Sequence, residues 1–382
     1  MEVTTITESK LLGEELAFLL HDKGGPCLTM TIPLEKLNPA REANRRRVLE
    51  LVEKSATQWK HLHEQFDHAG IAVLEKAKEL IETIDWLHVP DGIGIYVSLK
   101  NKLLYQFDFS PPEKAIWSDR FMLRELVYHI QLSQPFLILS LTETKSCLYQ
   151  KKENACEKIS DNEVNKDYSD SYIYESPSRS TSYAGQAHVK SFERDREKLE
   201  TAHRVPHLNR IKAQLKKYQT ASLPIVVIAP DQLLHEINFP HNPHEPVIEI
   251  QKDPSHLIPR ELGQIAEPYM FRFIENKIER IVNEWNELVG KGFTRSGLQA
   301  SWRAAQEGNC KILLVELGYA KTGFLLQDPF YLFLKPPVNP HTILPDAVDD
   351  LMKTVLEKNG TVFITADSLL SHSQRISLIT RY

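Results

Sequence analysis

The tripeptide Ala184-Gly185-Gln186 holds residue types that could assist the hydrolysis of an ester. A glutamine amide is neutral and both donates and accepts hydrogen bonds, so it could position a water molecule. The backbone N–H of Gln186 could stabilise a developing oxyanion. Gly185 lets the chain adopt a positive φ and approach another molecule without a Cβ clash. By itself the tripeptide could equally be the end of a linker that leads into a helix. Its neighbours in the sequence are needed to distinguish these two interpretations.

The residues around the tripeptide predict a long polar loop followed by a basic helix. From Glu153 to Asp170 there are six acids against two lysines, and the chain then becomes rich in serine. Such a composition is typical of a long loop, which is either functional or a linker. From Gln186 to Tyr218 there are nine Lys/Arg against four Asp/Glu, and apolar residues recur at helical spacing from Leu208 onward. The sequence therefore predicts a loop that ends at Gln186 and leads into an amphipathic helix.

Strand-like runs flank this loop and helix and define a middle domain over residues 134–255. Residues 136–150 predict two strands joined by a turn. Residues 223–230 form a continuous apolar run, which is typical of a central strand buried on both faces. The fold class we expect for the whole chain is α/β in three domains, because 382 residues exceed the usual size of one domain.

The first third of the chain predicts a further α/β domain over residues 1–133, and the last third predicts an α/β/α sandwich over residues 256–382. Glycines at Gly290 and Gly292 are expected to end a long amphipathic helix that begins near Pro259. The other elements expected in the first third are a strand over 27–32, a helix over 40–60, a second helical pattern at Trp59, Leu62 and Phe66, a hairpin over 93–109 and a helix over 118–131. Those expected in the last third are helices over 296–307 and 346–358 and strands over 311–317, 361–365 and 377–382.

Any nucleic-acid binding must rest on local basic patches, because the net charge of the chain is −5. Two patches qualify, and their predicted role is to contact RNA phosphates. An alternative is that the arginines of the first helix form a solvated face with Glu42 and Glu50 as partners. The candidate RNA-binding residues are Arg45, Arg46 and Arg47 in the first domain, and Lys190, Arg194, Arg204 and Arg210 after the tripeptide.

Several other kinds of protein are disfavoured by the sequence. The four cysteines are scattered, which fits a reducing cytoplasm better than a disulfide framework or a metal site. His241 and His244 lie close together, but the neighbouring prolines prevent the helix that a zinc motif needs. No glycine-rich phosphate loop, signal peptide or apolar run of membrane-spanning length is visible. We therefore expect no cofactor, no metal and no membrane contact.

Three features in one order resemble a known family. They are the strand–turn–strand FLILSLTETKSCLYQ, the long loop ending in Gly185-Gln186 before a helix and a buried strand, and the C-terminal segment LMKTVLEKNGTVFITADSLLSHSQRISLITRY. Together they resemble class-one peptide-chain release factors of archaea and eukaryotes and Pelota, and still more the bacterial archaeo-eukaryotic release-factor families. The resemblance covers essentially the whole chain.

This resemblance implies a ribonuclease-H-like middle domain and a C-terminal domain with the fold of kink-turn-binding ribosomal proteins. It also implies that the tripeptide corresponds to the Gly-Gly-Gln of release factors, with Gly185 and Gln186 as catalytic residues. The partners would be the ribosome, through rRNA and peptidyl-tRNA. The first glycine is replaced by Ala184, and no Asn-Ile-Lys-Ser stop-codon reader is present.

Three functions remain open at this point. The first is stop-codon-independent hydrolysis of peptidyl-tRNA, or ribosome rescue, through a degenerate Gly-Gly-Gln-like loop. The second is a non-catalytic ribosome- or RNA-binding factor with the same fold, acting in hibernation or stress. The third is a scaffold that does not contact ribosomes. The sequence decides neither whether the chain is an enzyme nor whether it has a partner GTPase.

Overall fold

The computed structural model describes residues 14–36, 41–62, 68–152, 155–161, 164–167, 205–218, 223–239 and 247–382. These residues form two compact units. Among the described residues, the central unit spans Ser133–Ile274, and the flanking unit combines residues 14–132 with Glu275–Tyr382. Each of the three predicted segments carries a sheet and helices of its own. The α/β class expected from the sequence is confirmed, while the predicted domain boundaries stay predictions.

The N-terminal part of the flanking unit is an antiparallel sheet with two helices packed against it. The sheet has the order β3-β2-β1-β4, and β1 and β2 are buried along almost their whole length. The indole rings of Trp59 and Trp117 lie 4.4 Å apart where helix meets sheet. The elements are α1 (Glu14–Leu20), β1 (Cys27–Pro33), α2 (Arg41–Leu62), α3 (His68–Glu82), β2 (Gly92–Val97), β3 (Lys102–Phe107), β4 (Lys114–Ser118) and α4 (Arg124–Leu132).

Two expectations for this part are wrong in detail. Helix α2 continues unbroken through Trp59, so no second helix begins there; Phe66 lies outside the described residues. Helix α4 begins at Arg124 instead of near residue 118, because residues up to Ser118 pair with β1 as strand β4. The predicted hairpin with its turn near Asn101 is confirmed by the pairing of β2 with β3.

The central unit is a mixed sheet in the order β10-β9-β5-β6-β7, with β8 paired to β6. Strand β9 lies parallel to both β5 and β10, and all its residues are buried. This confirms the central strand predicted from the apolar run over 223–230. The elements are β5 (Phe136–Leu141), β6 (Lys145–Lys152), β7 (Ala155–Lys158), β8 (Lys166–Asp167), helix α5 (205–218), β9 (Ile225–Ala229), α6 (Asp231–Ile237) and β10 (Val247–Gln251).

Helix α7 (Pro259–Leu288) leads from the central unit into the C-terminal part of the flanking unit. Gly290 and Gly292 follow it with φ values of +81° and +90°, so the predicted glycine stop is confirmed. A second sheet has the order β11-β17-β12-β16. The elements are β11 (Thr294–Ser296), α8 (Leu298–Gln306), β12 (Ile312–Glu316), α9 (Ala347–Glu357), β16 (Thr361–Thr365) and β17 (Ile376–Ile379).

A small three-stranded sheet lies between β12 and α9 in the chain, and the sequence did not predict it. It consists of β13 (Gly323–Leu325), β14 (Leu332–Phe333) and β15 (Thr342–Leu344), in the order β14-β13-β15. These strands are two or three residues long and lie among prolines, so no alternating pattern is long enough to indicate them.

A buried ionic network joins the two parts of the flanking unit. The side chain of Asp349 in α9 accepts the backbone N–H groups of Leu123 and Arg124 at 2.9 and 2.8 Å, and so caps the N-terminus of α4. The guanidinium of Arg124 donates to Asp346 at 2.5 Å, and the ammonium of Lys353 donates to the carbonyl of Phe121 at 2.9 Å. The apolar core is also shared, since α1 and α4 contribute to the same cluster as α8 and α9.

Candidate RNA-facing site

Most residues of the predicted catalytic and RNA-binding set lie outside the described residues. These are Gly185, Gln186, Lys190, Arg194 and Arg204. The structure describes Arg210 in the central unit and Arg45, Arg46 and Arg47 in the flanking unit. The site can therefore be built from helices α5 and α2, each within its own unit.

Helix α5 is fixed by its apolar face. Leu208, Ile211 and Leu215 are buried, and they pack in the same core as strands β5, β6 and β9. This is the helical face that the sequence predicted. Tyr218, the fourth predicted member, packs against that core while partly exposed.

Polar contacts at both ends of α5 set its position on the sheet. Near its start, Nε2 of the buried His207 lies 3.3 Å from Oγ of Ser146. At its end, the hydroxyl of Tyr218 donates to Asp161 at 2.9 Å. Burial, and then this contact with Asp161, raises the pKa of Tyr218 to about 12. The phenol is thus held in its neutral, donating form, and the helix is anchored independently of its exposed face.

The exposed face of α5 is basic. Arg210, Lys216 and Lys217 are exposed, and the described helix contains no acidic residue. Lys212 lies at the margin of this face, with its ammonium 6.0 Å from the centre of the Phe239 ring. A helix whose outer face carries cations without acids fits contact with phosphates better than an ordinary solvated face of mixed charge. Lys212, Lys216 and Lys217 extend the predicted site, and the local charge count was the signal for them.

The arginines of α2 lie close to Asn44, which fixes the first turns of that helix by hydrogen bonds. The side chain of Asn44 is buried and exchanges two hydrogen bonds with the backbone of Glu35, at 2.8 and 3.2 Å. Arg47 forms an ion pair with Glu113, whereas Arg45 and Arg46 are exposed. No sequence pattern pointed to Glu113, which lies far along the chain. The solvated-face alternative named Glu42 and Glu50, and the partner of Arg47 is neither of them.

Arg45 and Arg46 are exposed in the second turn of α2. The effect of the helix dipole falls off within the first turn, so it disfavours cations at these positions only weakly. Glu42 is the acidic residue of the first turn. The RNA contact expected of Arg45 and Arg46 stays a prediction.

Residues 135–309 match the model of bacterial archaeo-eukaryotic release factor family 3. This stretch of the chain is similar to that family. The family-3 stretch contains the central unit almost entirely, including α5 and the Ala-Gly-Gln tripeptide. The resemblance to bacterial archaeo-eukaryotic release-factor families that was expected from the sequence is confirmed.

Among solved structures the chain is similar to release factors and Pelota proteins. An archaeal translation termination factor, aRF1, is 13% identical, with all of both chains covered and a TM-score of 0.24. Pelota from Archaeoglobus fulgidus is 12% identical over 76% of this chain and 79% of that one, with a TM-score of 0.36. A ribosome-bound archaeal Pelota is 11% identical over 99% and 95%, with a TM-score of 0.39. No curated protein matches the chain.

Two further observations concern metal binding and membrane spanning by the described residues. No three histidine, cysteine or acidic side chains among them converge as a metal site requires. None of the helices in this part of the chain combines the length and apolar character needed to cross a bilayer.

Proposed function

We propose that the protein is a ribosome-associated, release-factor-like translation factor that contacts rRNA through α5 and presents Gln186 to peptidyl-tRNA. The observation that carries this proposal is the basic, acid-free outer face of α5, anchored within the family-3 stretch. One of the similar structures is described as ribosome-bound Pelota. The absence of the stop-codon reader favours rescue of stalled ribosomes over termination.

The chemistry proposed for Gln186 follows from its side chain and its backbone. The amide orients a water molecule toward the ester carbon that joins peptide to tRNA, and the backbone N–H receives the developing oxyanion. Water adds at the carbonyl carbon, the bond to the ribose oxygen breaks, and the proton passes to that oxygen. The basic helix α5 supplies affinity for rRNA without sequence information.

Sedimentation tests the ribosome contact. Arg210→Glu combined with Lys216→Glu should remove the protein from ribosomal fractions of a sucrose gradient, because two exposed cations become anions beside phosphates. Lys158→Glu with Lys252→Glu is the matched control, since both lysines are exposed in the same unit. If the α5 variant still sedimented with ribosomes, α5 would not be part of the interface. If the wild-type protein were absent from ribosomal fractions, only the scaffold function would remain.

A release assay on stalled complexes tests the catalytic step. Wild-type protein should free peptide from peptidyl-tRNA, and Gln186→Ala should not. Equal release by both proteins would remove Gln186 from the mechanism. Binding to ribosomes without release by either would establish the second function, a non-catalytic factor, which the replacement of a glycine by Ala184 favours.

A further inference from the structure

The small sheet β13–β15 has one face on the protein core and one face outward. Leu332 is buried, and a Cβ built on Gly323 would lie 2.6 Å from its Cδ1 atom, so the inner face is closely packed. Side chains alternate along a strand, so Phe324 points the other way. Phe324 stands opposite Phe333 on β14 and Ile343 on β15, which forms one row across the outer face.

This outer row is apolar, mainly aromatic and accessible. Ile343 is 59% exposed, and Phe324 and Phe333 are partly exposed. The imidazole of His341 packs edge-on against Phe324 with ring centres 5.3 Å apart, and its Nδ1 lies 2.9 Å from the carbonyl oxygen of Asn339. A monomeric protein rarely leaves several aromatic and aliphatic side chains together in solvent unless they bind something.

Cations lie at both ends of this face. Lys321 lies two residues before β13 and Lys335 two residues after β14, so both flank the same end of this antiparallel pair, and both are exposed. At the opposite end, the guanidinium of Arg303 lies 6.0 Å from the centre of the exposed Tyr331 ring and also pairs with Glu307 at 3.1 Å. The segment 318–345 contains a single acidic residue, Asp328, whose carboxylate accepts the N–H of Phe330 at 3.0 Å. The charges around the face therefore suit an anionic occupant.

We infer that the outer face of β13–β15 binds single-stranded RNA, with bases stacked on Phe324 and Phe333 and phosphates near Lys321 and Lys335. Aromatic rings attract bases of any identity through their faces, and lysines add affinity without reading sequence. The central row carries no amide or carboxylate that could read base edges. The surface includes neither Gln186 nor α5, so this inference can be tested independently of the proposed function.

Fluorescence anisotropy of full-length protein with a labelled oligouridylate of about ten nucleotides tests this inference. Phe324→Leu with Phe333→Leu keeps the face apolar but removes the ring faces, and it should weaken binding about tenfold or more. Phe293→Leu is the matched control, because Phe293 is another exposed aromatic residue of the same unit. Lys321→Ala with Lys335→Ala should weaken binding and reduce its dependence on salt, whereas Lys291→Ala should do neither.

Several outcomes would overturn the inference. Wild-type protein that does not bind the oligonucleotide at low salt, or leucine variants that bind as tightly as wild type, would show that the face is not a stacking platform. Ribosome binding lost in the leucine variant without any oligonucleotide binding by the wild type would assign the face to a protein partner instead. Thermal unfolding checks the fold of the leucine variant. If that variant is destabilised, the inference is tested instead by Tyr331→Leu and by the double lysine variant, because these substitutions are all at exposed positions. Gln186→Ala should leave oligonucleotide binding unchanged.

Discussion

At the scale of single residues, Ala184 is the position on which the proposed chemistry depends. If release requires a positive φ there, alanine costs about 1–2 kcal/mol that glycine does not. We therefore expect Ala184→Gly to raise the rate of peptide release about fivefold or more, measured in single-turnover assays on stalled complexes. Ala184→Ser is the control, because serine has a Cβ and should not raise the rate. An unchanged rate for the glycine variant would mean that this position adopts an ordinary φ.

A second residue, Lys353, is the cation on which the buried network depends. It is 1% exposed and lies 3.2 Å from Asp349 and 2.7 Å from Asp350. Burial alone would lower the pKa of Lys353, but these two carboxylates more than offset that effect and raise it. Burial disfavours the charged form of Asp350 as well and so raises its pKa, although Lys353 opposes this effect.

Removing the charge of Lys353 should therefore be costly. Lys353→Met leaves two carboxylates buried without their cation, and we expect the free energy of unfolding to fall by about 3–5 kcal/mol. Urea unfolding measures this change, with Lys291→Met as an exposed control. A loss of less than about 1 kcal/mol, as exposed ion pairs give, would show that water reaches the network.

At the scale of elements, the edge strand β16 is protected by one side chain of α4. The amide of the buried Gln131 donates to the carbonyl of Ile364 and accepts its N–H, both at 2.8 Å. This side chain takes the place of a further strand and prevents the edge from pairing with another chain. Gln131→Ala should cost about 2 kcal/mol or more, because two buried backbone groups lose their partners.

Hydrogen exchange makes the Gln131 prediction specific. The amide proton of Ile364 should exchange much faster in Gln131→Ala than in the wild type. Gln264→Ala changes an exposed glutamine of α7 and should affect neither exchange nor stability. Protection of Ile364 that persists in the Gln131 variant would mean that the strand edge is covered by something other than this amide.

The anchoring of α5 predicts a dependence on pH in the alkaline range. The pKa of Tyr218 is about 12 in the folded protein, against an ordinary value of 10.0 for tyrosine. The unfolded chain therefore loses this proton first, so the contribution of Tyr218 is complete below about pH 10 and declines as pH rises toward 12. Tyr218→Phe should lose less stability than the wild type between these values, measured by urea unfolding. Identical pH profiles would show that the hydroxyl of Tyr218 titrates normally.

The sequence predicted elements well where one strong local pattern was present and poorly where distant contacts decide. The helical spacing of Leu208 and Ile211 and the apolar run of β9 were sufficient, because each reflects burial of the element itself. The start of α4 was missed because strand β4 depends on pairing with β1, far away in the chain. The partner of Arg47 was missed for the same reason, since Glu113 lies 66 residues along the chain.

At the scale of the whole molecule, the flanking unit is built from two stretches of chain that complete each other. The residues of α1 and α4 share an apolar core with α8 and α9. Asp349 supplies the N-terminal cap of α4 across 225 residues of sequence, and Gln131 covers β16 across 233. Neither stretch has all its buried polar groups satisfied without the other.

We therefore expect residues 14–132 and 275–382, expressed as separate fragments, to be poorly folded alone and to associate when co-expressed. Each fragment alone would expose its half of the shared core and leave the carboxylates of α9 without Arg124, a combination of costs that exceeds the usual stability of a domain. Co-purification and circular dichroism measure the association. The Asp349→Ala fragment is the control, and it should bind its partner more weakly. A cooperative unfolding transition in the isolated fragment 14–132 would show instead that the first domain predicted from the sequence folds independently.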